Sequence, residues 1–145
     1  MGRLGTVLAQ LLRIDRAGGG GGGGFVANGA YADNQQIAGV AATPGWVVIA
    51  EFDLDTLPAS ALLDGILLVS QVALTGRLRL YDVTGAAAVA GSTLSTVSLT
   101  GERLTSADLA GVLVLGRRYQ IQAECTGGAA PTDWVVVRYA TLLPS

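Results

Sequence analysis

The sequence contains no histidine, no lysine, a single cysteine and a single methionine. Without histidine, the chain lacks the commonest general base and the commonest metal ligand in proteins. One cysteine cannot form an intrachain disulfide. These absences disfavour most familiar enzyme mechanisms, so we predict a non-enzymatic protein with no catalytic residues, no metal site and no cofactor.

Charged side chains are also scarce. They make up 14% of the 145 residues, whereas about a quarter is usual. Nine basic residues, all of them arginine, stand against eleven acidic ones, and the net charge of −2 disfavours a protein that binds nucleic acid. Because 50% of the residues are apolar, the polar coat is thin for a free monomer. This composition indicates a subunit whose faces are covered by neighbours.

Long uninterrupted hydrophobic runs are missing as well. The most apolar window, 57–74, is broken by Pro58 and Gly65 and contains a charged residue, so we expect no membrane span. Polar side chains interrupt residues 1–16, and we therefore expect no secretory signal there.

The segment 1–24 differs from the rest and is predicted to be an arm beside a β-sandwich domain over 25–145. Apolar residues recur near its start at the spacing of one helix face, which predicts a short amphipathic helix. Such a short helix, with Gly5 inside it, is marginal alone in water, so we expect it to form when its apolar stripe docks on a partner. The stripe consists of Leu4, Val7, Leu8, Leu11 and Ile14.

Seven consecutive glycines follow, from Gly18 through Gly21 to Gly24. One interpretation is a flexible tether. The other is an extended ribbon of about 20 Å that passes through a crevice too narrow for any Cβ. A phosphate-binding loop is disfavoured because such loops need a lysine and a preceding strand.

The remainder of the chain alternates apolar and polar residues in short runs separated by turns, which is typical of strands. Since long crossover helices are missing, a parallel α/β fold is excluded, and we predict an all-β antiparallel sandwich of the jelly-roll type. A helical turn capped by Thr105 or Ser106 is expected over 105–110. Predicted strands are 46–55, 65–73, 76–83, 93–100, 112–115, 118–125 and 134–142, with one short edge strand within 25–44.

Alternation also assigns the faces of two strands. In the first, the side chains expected to point inward are Val48, Ala50, Phe52 and Leu54, and those expected outward are Glu51, Asp53 and Asp55. In the second, the inward side chains are Tyr119, Ile121, Ala123 and Cys125, with Cys125 as a small buried apolar residue.

The outward acids admit three interpretations. We favour cross-strand ion pairs with Arg77 and Arg79 over a calcium site, because a flat strand lacks the loop that wraps a cation. A glycosidase pair is disfavoured because both carboxylates would share one solvated face. Four further acids are expected singly at turns, namely Asp64, Asp82, Asp108 and Asp133.

Two tryptophans, Trp46 and Trp134, each open a predicted strand and are expected to be partly exposed. With four tyrosines (Tyr31, Tyr81, Tyr119 and Tyr139), they could form a sugar-stacking platform. We favour the alternative that they lie at sandwich ends or contact other subunits.

This layout of short arm, glycine run and compact sandwich resembles the decoration (cement) and head-fibre proteins of tailed bacteriophages. The resemblance implies a jelly-roll or related β-fold, frequently trimeric, that clamps the outer surface of a capsid. We therefore expect a structural virion protein that is made in the host cytoplasm and located on the particle surface. Its expected partners are the major capsid protein or another assembly protein, and further copies of itself. The alternatives are a carbohydrate- or receptor-binding module and a tail or injection-system component.

Overall fold

A computed structural model describes residues 31–38, 45–127 and 133–144. The predicted arm lies outside these ranges. The arm residues predicted to mediate assembly therefore lie outside the described residues, namely Leu4, Val7, Leu8, Leu11, Ile14, Gly18, Gly21 and Gly24.

Nine strands occur in the described residues, and they account for nearly all of the regular structure. They are β1 (Tyr31–Ala38), β2 (Val47–Asp53), β3 (Ala61–Val69), β4 (Thr75–Asp82), β5 (Ala87–Ala88), β6 (Leu94–Thr96), β7 (Glu102–Thr105), β8 (Arg118–Thr126) and β9 (Trp134–Pro144). One 3-10 helix, Ala110–Val112, precedes β8.

The strands form two antiparallel sheets. Sheet A has the order β1-β9-β3-β7, and sheet B has the order β2-β8-β4-β5 with β6 also paired to β4. The pairs are nested, since β1 joins β9, β2 joins β8 and β3 joins β7. Nested antiparallel pairing across two sheets is the strand order of a jelly roll, and the predicted all-β sandwich is confirmed.

The core lies between the inner faces of the sheets. In β8, the alternation predicted from the sequence is confirmed, because Tyr119, Ile121, Ala123 and Cys125 are all fully buried. The Tyr119 ring stacks on Phe52 at a centroid distance of 6.0 Å. Burial raises the pKa of the Cys125 thiol, and the negative charges of Asp133 and Glu124 raise it further. Cys125 is thus an inert part of the core, as expected.

The predicted phase of β2 is wrong in its first half. A β-bulge between Val48 and Ala50 shifts the register against β8, so that Val48 faces solvent and is 47% exposed. Phe52 and Leu54, beyond the bulge, are buried as predicted. A bulge adds one residue to a strand and reverses the inward–outward alternation behind it, which period-two counting does not detect.

The region before β8 also differs from expectation. Residues 112–115 do not form the predicted strand, because Val112 ends the 3-10 helix and a turn follows at 115–116, whereas β7 is a strand that the sequence analysis does not predict. The helical turn expected over 105–110 is replaced by the end of β7 and by irregular chain over 106–109, because side chains there bind the backbone of β3. Ser106 Oγ accepts a hydrogen bond from Leu63 N (2.9 Å), and Asp108 Oδ1 accepts one from Ala61 N (2.9 Å). These hydrogen bonds hold the loop against β3, and the 3-10 helix begins only after them in the sequence, at Ala110.

Candidate functional site

The outer face of sheet B carries a row of polar and aromatic side chains that are joined by hydrogen bonds and cation–π contacts. We call it the Trp46 face. Register places outward side chains in rows across β2, β8 and β4, with β8 in the middle. Its members are Trp46, Val48, Glu51, Arg77, Arg79, Tyr81, Gln120, Gln122 and Glu124.

Trp46 reaches across this face from the residue before β2. Its ring lies 4.1 Å from the Arg79 guanidinium carbon and 4.9 Å from that of Arg77. The indole therefore covers β8, and this explains why Gln122 and Glu124 are only 6% and 9% exposed although they point away from the core. Each cation–π contact of this kind contributes about 0.5–2 kcal/mol.

A chain of side-chain hydrogen bonds runs along β8. Arg79 Nε donates to Gln122 Oε1 at 2.8 Å, and Gln122 Nε2 donates to Gln120 Oε1 at 2.8 Å. Gln120 Nε2 then donates to Glu51 Oε2 at 2.9 Å. Because each side chain orients the next, the face presents a fixed grid of donors and acceptors.

The two arginines of the face differ in their electrostatic environment. Arg77 pairs with Glu124 at 3.0 Å. Arg79 makes no ion pair with a carboxylate among the described residues, and its guanidinium also lies 5.0 Å from the Tyr81 ring. Burial lowers the pKa of Arg79, and the nearby Arg77 charge acts in the same direction while Tyr81 and Glu124 oppose it. The Trp46 face thus holds one partly buried cation that has no described carboxylate within ion-pair distance.

The expected pairing of the β2 acids with Arg77 and Arg79 is wrong, because β8 lies between β2 and β4. Asp53 instead accepts two hydrogen bonds from Arg118, at 2.8 and 3.1 Å. The hydrogen bond from Arg118 lowers the pKa of Asp53. Across the described ranges, no three His, Cys, Asp or Glu side chains are grouped closely enough to bind a metal ion.

The outer face of sheet A carries a second polar cluster, centred on Asp64. Asp64 was expected at a turn, but it lies in the middle of β3 and is 1% exposed. Its carboxylate accepts hydrogen bonds from Arg103 Nε (2.9 Å), Thr105 Oγ1 (2.7 Å) and the Tyr139 hydroxyl (2.6 Å). Burial raises the pKa of Asp64, but these hydrogen bonds outweigh burial and the net shift is downward. The cluster holds an ionised carboxylate whose acceptor positions are already occupied.

The other acids expected singly at turns also have partners. Arg117 pairs with Asp82 at 2.6 Å, and the amide of Gln71 donates to Asp133, which is buried beside the start of β9. Asp108 does lie in a loop, where it accepts backbone hydrogen bonds that lower its pKa.

The six aromatics do not form one platform. Tyr119 is buried in the core, Tyr139 is bound to Asp64, and Trp134 begins β9 in the opposite sheet from Trp46. Both tryptophans are partly exposed, as predicted. Of the two tryptophans, Trp46 is the one whose ring packs against arginines in the described structure, because Arg77 and Arg79 share the outward face of β4. The alternation in β4 was sufficient to predict that these side chains share one face, but it did not show that the Trp46 ring lies across β8.

No protein-family model matches this chain, and no curated protein matches it. The function must therefore be inferred from its own surfaces. No helix within the described ranges is long and apolar enough to cross a membrane.

Large apolar side chains are exposed at the end of the sandwich where β1 begins. We call this the Tyr31 end. Register defines it, because Tyr31 pairs with Thr141 and Ala61 with Pro144, which brings the start of β1, the start of β3 and the end of β9 together. Loops 54–60 and 106–117 flank this end. The side chains concerned are Leu57, Val112, Val114 and Leu115, which are 45–55% exposed.

Backbone hydrogen bonds hold the two loops of the Tyr31 end together. Gly116 N donates to Leu54 O at 2.8 Å, and Leu109 N donates to Ala61 O at 2.7 Å. In addition, Val114 N donates to the Tyr119 hydroxyl at 2.8 Å. The apolar side chains are therefore presented on a fixed support, as a contact surface requires.

Proposed function

We propose that this protein is a non-enzymatic structural subunit of a large assembly, of the kind that decorates a virus particle. The jelly-roll strand order supports this class, because capsid and lectin domains both use the fold, although a fold alone does not define a function. The observation that carries the proposal is the apolar Tyr31 end. Four large apolar side chains in solvent on one end of a small domain favour burial against another protein.

The position of this end relative to the arm supports the same function. Thirty residues precede Tyr31, and they include the predicted apolar stripe. The chain therefore joins the sandwich beside its exposed apolar loops. Thirty residues can extend to roughly 100 Å, so the arm can reach a neighbouring subunit of the assembly, either a major capsid or other assembly protein or a further copy of this chain.

The paired acids favour a structural over an enzymatic role. An acid–base enzyme needs a carboxylate whose pKa is raised toward neutrality in a cleft. In contrast, the pKa values of Asp53, Asp64, Asp82 and Asp108 are all lowered by their hydrogen-bond partners. These four side chains therefore stay ionised and hold arginines or backbone amides in place.

We expect substitution of Leu115 by aspartate to weaken assembly, because a charge in an apolar contact must be desolvated without a partner. Val72→Asp is the matched control, since Val72 is more exposed (77%) but lies in the β3–β4 loop at the opposite end. The measurement is the mass of the native assembly by sedimentation velocity, with retention on isolated particles as a second readout.

The same measurement tests the arm. The variants are a deletion of residues 1–24 and two single substitutions, Leu11→Asp and Gln10→Asp. Leu11 is on the predicted stripe and Gln10 is off it, so only the former should reduce assembly. A monomer of about 15 kDa in every variant and in the wild type, or full particle binding after the deletion, would contradict the proposal.

A second candidate function is a carbohydrate- or receptor-binding module, and the Trp46 face favours it. A partly exposed indole beside hydrogen-bonding side chains is suited to stack on the C–H face of a sugar. We expect any glycan binding to be lost in Trp46→Ala and retained in Trp134→Ala, because Trp134 lies on the other sheet without such neighbours. Binding that depends on Trp134 alone would contradict this assignment.

A further inference from the structure

We propose that the Trp46 face binds an acidic saccharide and that Arg79 holds the carboxylate of the sugar. This inference rests on the second candidate function, glycan binding, and adds the class of glycan and the residue that selects it. It does not depend on the assembly contact at the Tyr31 end.

The first observation is the free guanidinium edge of Arg79. Arg77, Arg103, Arg117 and Arg118 each pair with a carboxylate in the described structure. Arg79 uses Nε to bind Gln122, whereas its two terminal nitrogens make no hydrogen bond to any described residue. A planar guanidinium with two open N–H groups matches the two oxygens of a carboxylate.

The second observation is that Arg79 is held in place before any ligand arrives. Its guanidinium lies against Trp46 at 4.1 Å and Tyr81 at 5.0 Å, while Gln122 fixes the remaining nitrogen. Ordering a long arginine side chain normally opposes binding. In this protein the contacts with Trp46, Tyr81 and Gln122 already fix the Arg79 side chain before binding. An anion would therefore bind a rigid and partly desolvated guanidinium.

Arg138 shows what a surface arginine looks like without these features. It is exposed on β9 and makes no ion pair within the described ranges, but no aromatic ring packs against its guanidinium. Arg138 is therefore a solvated surface charge and serves as the matched control for Arg79.

The groups around Arg79 favour a sugar over a peptide. Tyr81 makes no hydrogen bond through its hydroxyl to a described residue, and the partly exposed amide of Gln120 keeps unused hydrogen-bonding capacity. Such groups fit a ligand rich in hydroxyls. A peptide would most readily add as a strand to the β2 edge, but β8 separates that edge from β4, where Arg79 lies.

The charges of the Trp46 face balance overall, with Arg77 and Arg79 against Glu51 and Glu124, but the two arginines are unequally paired. Arg77 neutralises Glu124, and Glu51 is engaged by Gln120 with Arg118 at 4.0 Å. Arg79 is thus the arginine of this face that has no described carboxylate at ion-pair distance, and it lies beside the indole. A sugar carboxylate would supply its missing partner while the ring of the same sugar stacks on Trp46.

The test is titration calorimetry of the full chain with sialyllactose and with a glucuronic-acid disaccharide, each beside its neutral counterpart. We expect millimolar or tighter binding of at least one acidic sugar and at least tenfold weaker binding of the neutral one. Arg79→Gln should reduce affinity for the acidic sugar at least tenfold, Arg79→Lys should give an intermediate loss, and Arg138→Gln should have no effect. Circular dichroism checks that the variants are folded.

Four results would overturn the proposal. If neutral and acidic sugars bind equally and Arg79→Gln has no effect, glycan binding stands but the selection of acidic sugars is wrong. If no saccharide binds at 10 mM, both the proposal and the second candidate function fail. Acetate or sulfate that binds as tightly as the acidic sugar would indicate an adventitious ion only. Binding of polyglutamate, but of no sugar, through Arg79 would indicate an acidic protein partner instead.

Discussion

Replacement of Asp64 by alanine is expected to lower the free energy of unfolding by about 2–3 kcal/mol, since four hydrogen bonds to a charged acceptor, two of them from Arg103, are lost together. Arg103 is 63% exposed at its side chain and can be solvated after the change, which keeps the loss below that of a fully buried pair. Tyr139 and Thr105 lose the acceptor between them. The measurement is the urea midpoint at pH 7, with the slope of the transition unchanged.

Asp53→Ala is the matched control for this substitution. Asp53 binds Arg118 through the same two-point geometry, but both side chains are about half exposed. An exposed pair of this kind contributes little to stability, so its midpoint should stay close to that of the wild type. Equal shifts for the two variants would contradict the role of burial.

The effect of Asp64 should also depend on pH in a defined direction. Its pKa in the folded state is lowered, so its contribution is complete above the unfolded value of about 3.9 and is lost as pH falls below that value. The difference between the wild type and Asp64→Ala should therefore shrink below about pH 4. A difference that grows on acidification would contradict this sign.

Replacement of Leu78 by alanine is expected to lower the free energy of unfolding by about 3–4 kcal/mol. Leu78 is fully buried in β4 and packs across the sandwich against Gly65 of β3, where an added Cβ would lie 3.0 Å from Leu78 Cδ2. Gly65 has no side chain that could fill the cavity. Moreover, the same Cβ would lie 2.8 Å from the Tyr139 carbonyl oxygen, so a larger residue at Gly65 is not accommodated.

Leu99→Ala removes the same atoms from a side chain that is 48% exposed, and it serves as the control. We expect its free energy of unfolding to change by no more than about 0.5 kcal/mol, as is usual for surface positions. If Leu78→Ala lowers the free energy of unfolding no more than Leu99→Ala does, the prediction is wrong, and the two sheets move together to fill the cavity.

The two proposed surfaces are compatible in one molecule. The Tyr31 end lies at the loops, whereas the Trp46 face is the outward side of sheet B. A subunit that assembles through the Tyr31 end can leave the Trp46 face in solvent, where a ligand on another surface can reach it. The acidic-sugar proposal and the assembly proposal can therefore be tested independently.

Much of the fold was predictable from local sequence. The alternation in β8 correctly predicted which of its side chains enter the core, because the strand has one apolar and one polar face. The edge strand within 25–44 was also expected, and β1 is that strand. In contrast, the bulge at Val48 and the polar side chains around Ser106 changed the local pattern through contacts with β8 and β3, which no window of sequence contains.

The candidate site was less predictable than the fold. Trp46 was predicted to be a partly exposed aromatic, but Arg77 and Arg79, whose guanidinium groups contact its ring, are more than thirty residues away in the sequence. Arg77 and Arg79 were expected to neutralise the acids of β2. The jelly-roll order inserts β8 between the two strands, and this insertion leaves Arg79 without a carboxylate.

The sequence by itself determined the all-β class, the identity of the core side chains in β8 and the absence of histidine chemistry, since these depend on composition and on the period of a strand. Only the tertiary structure decided that Asp64 is buried among three donors, that Arg79 stays unpaired beneath Trp46, and that four apolar side chains gather where β1 begins. The order of the strands in a sheet decides which distant residues become neighbours. That order depends on which strands pair with each other, and the alternation of apolar and polar residues within one strand does not specify its partners.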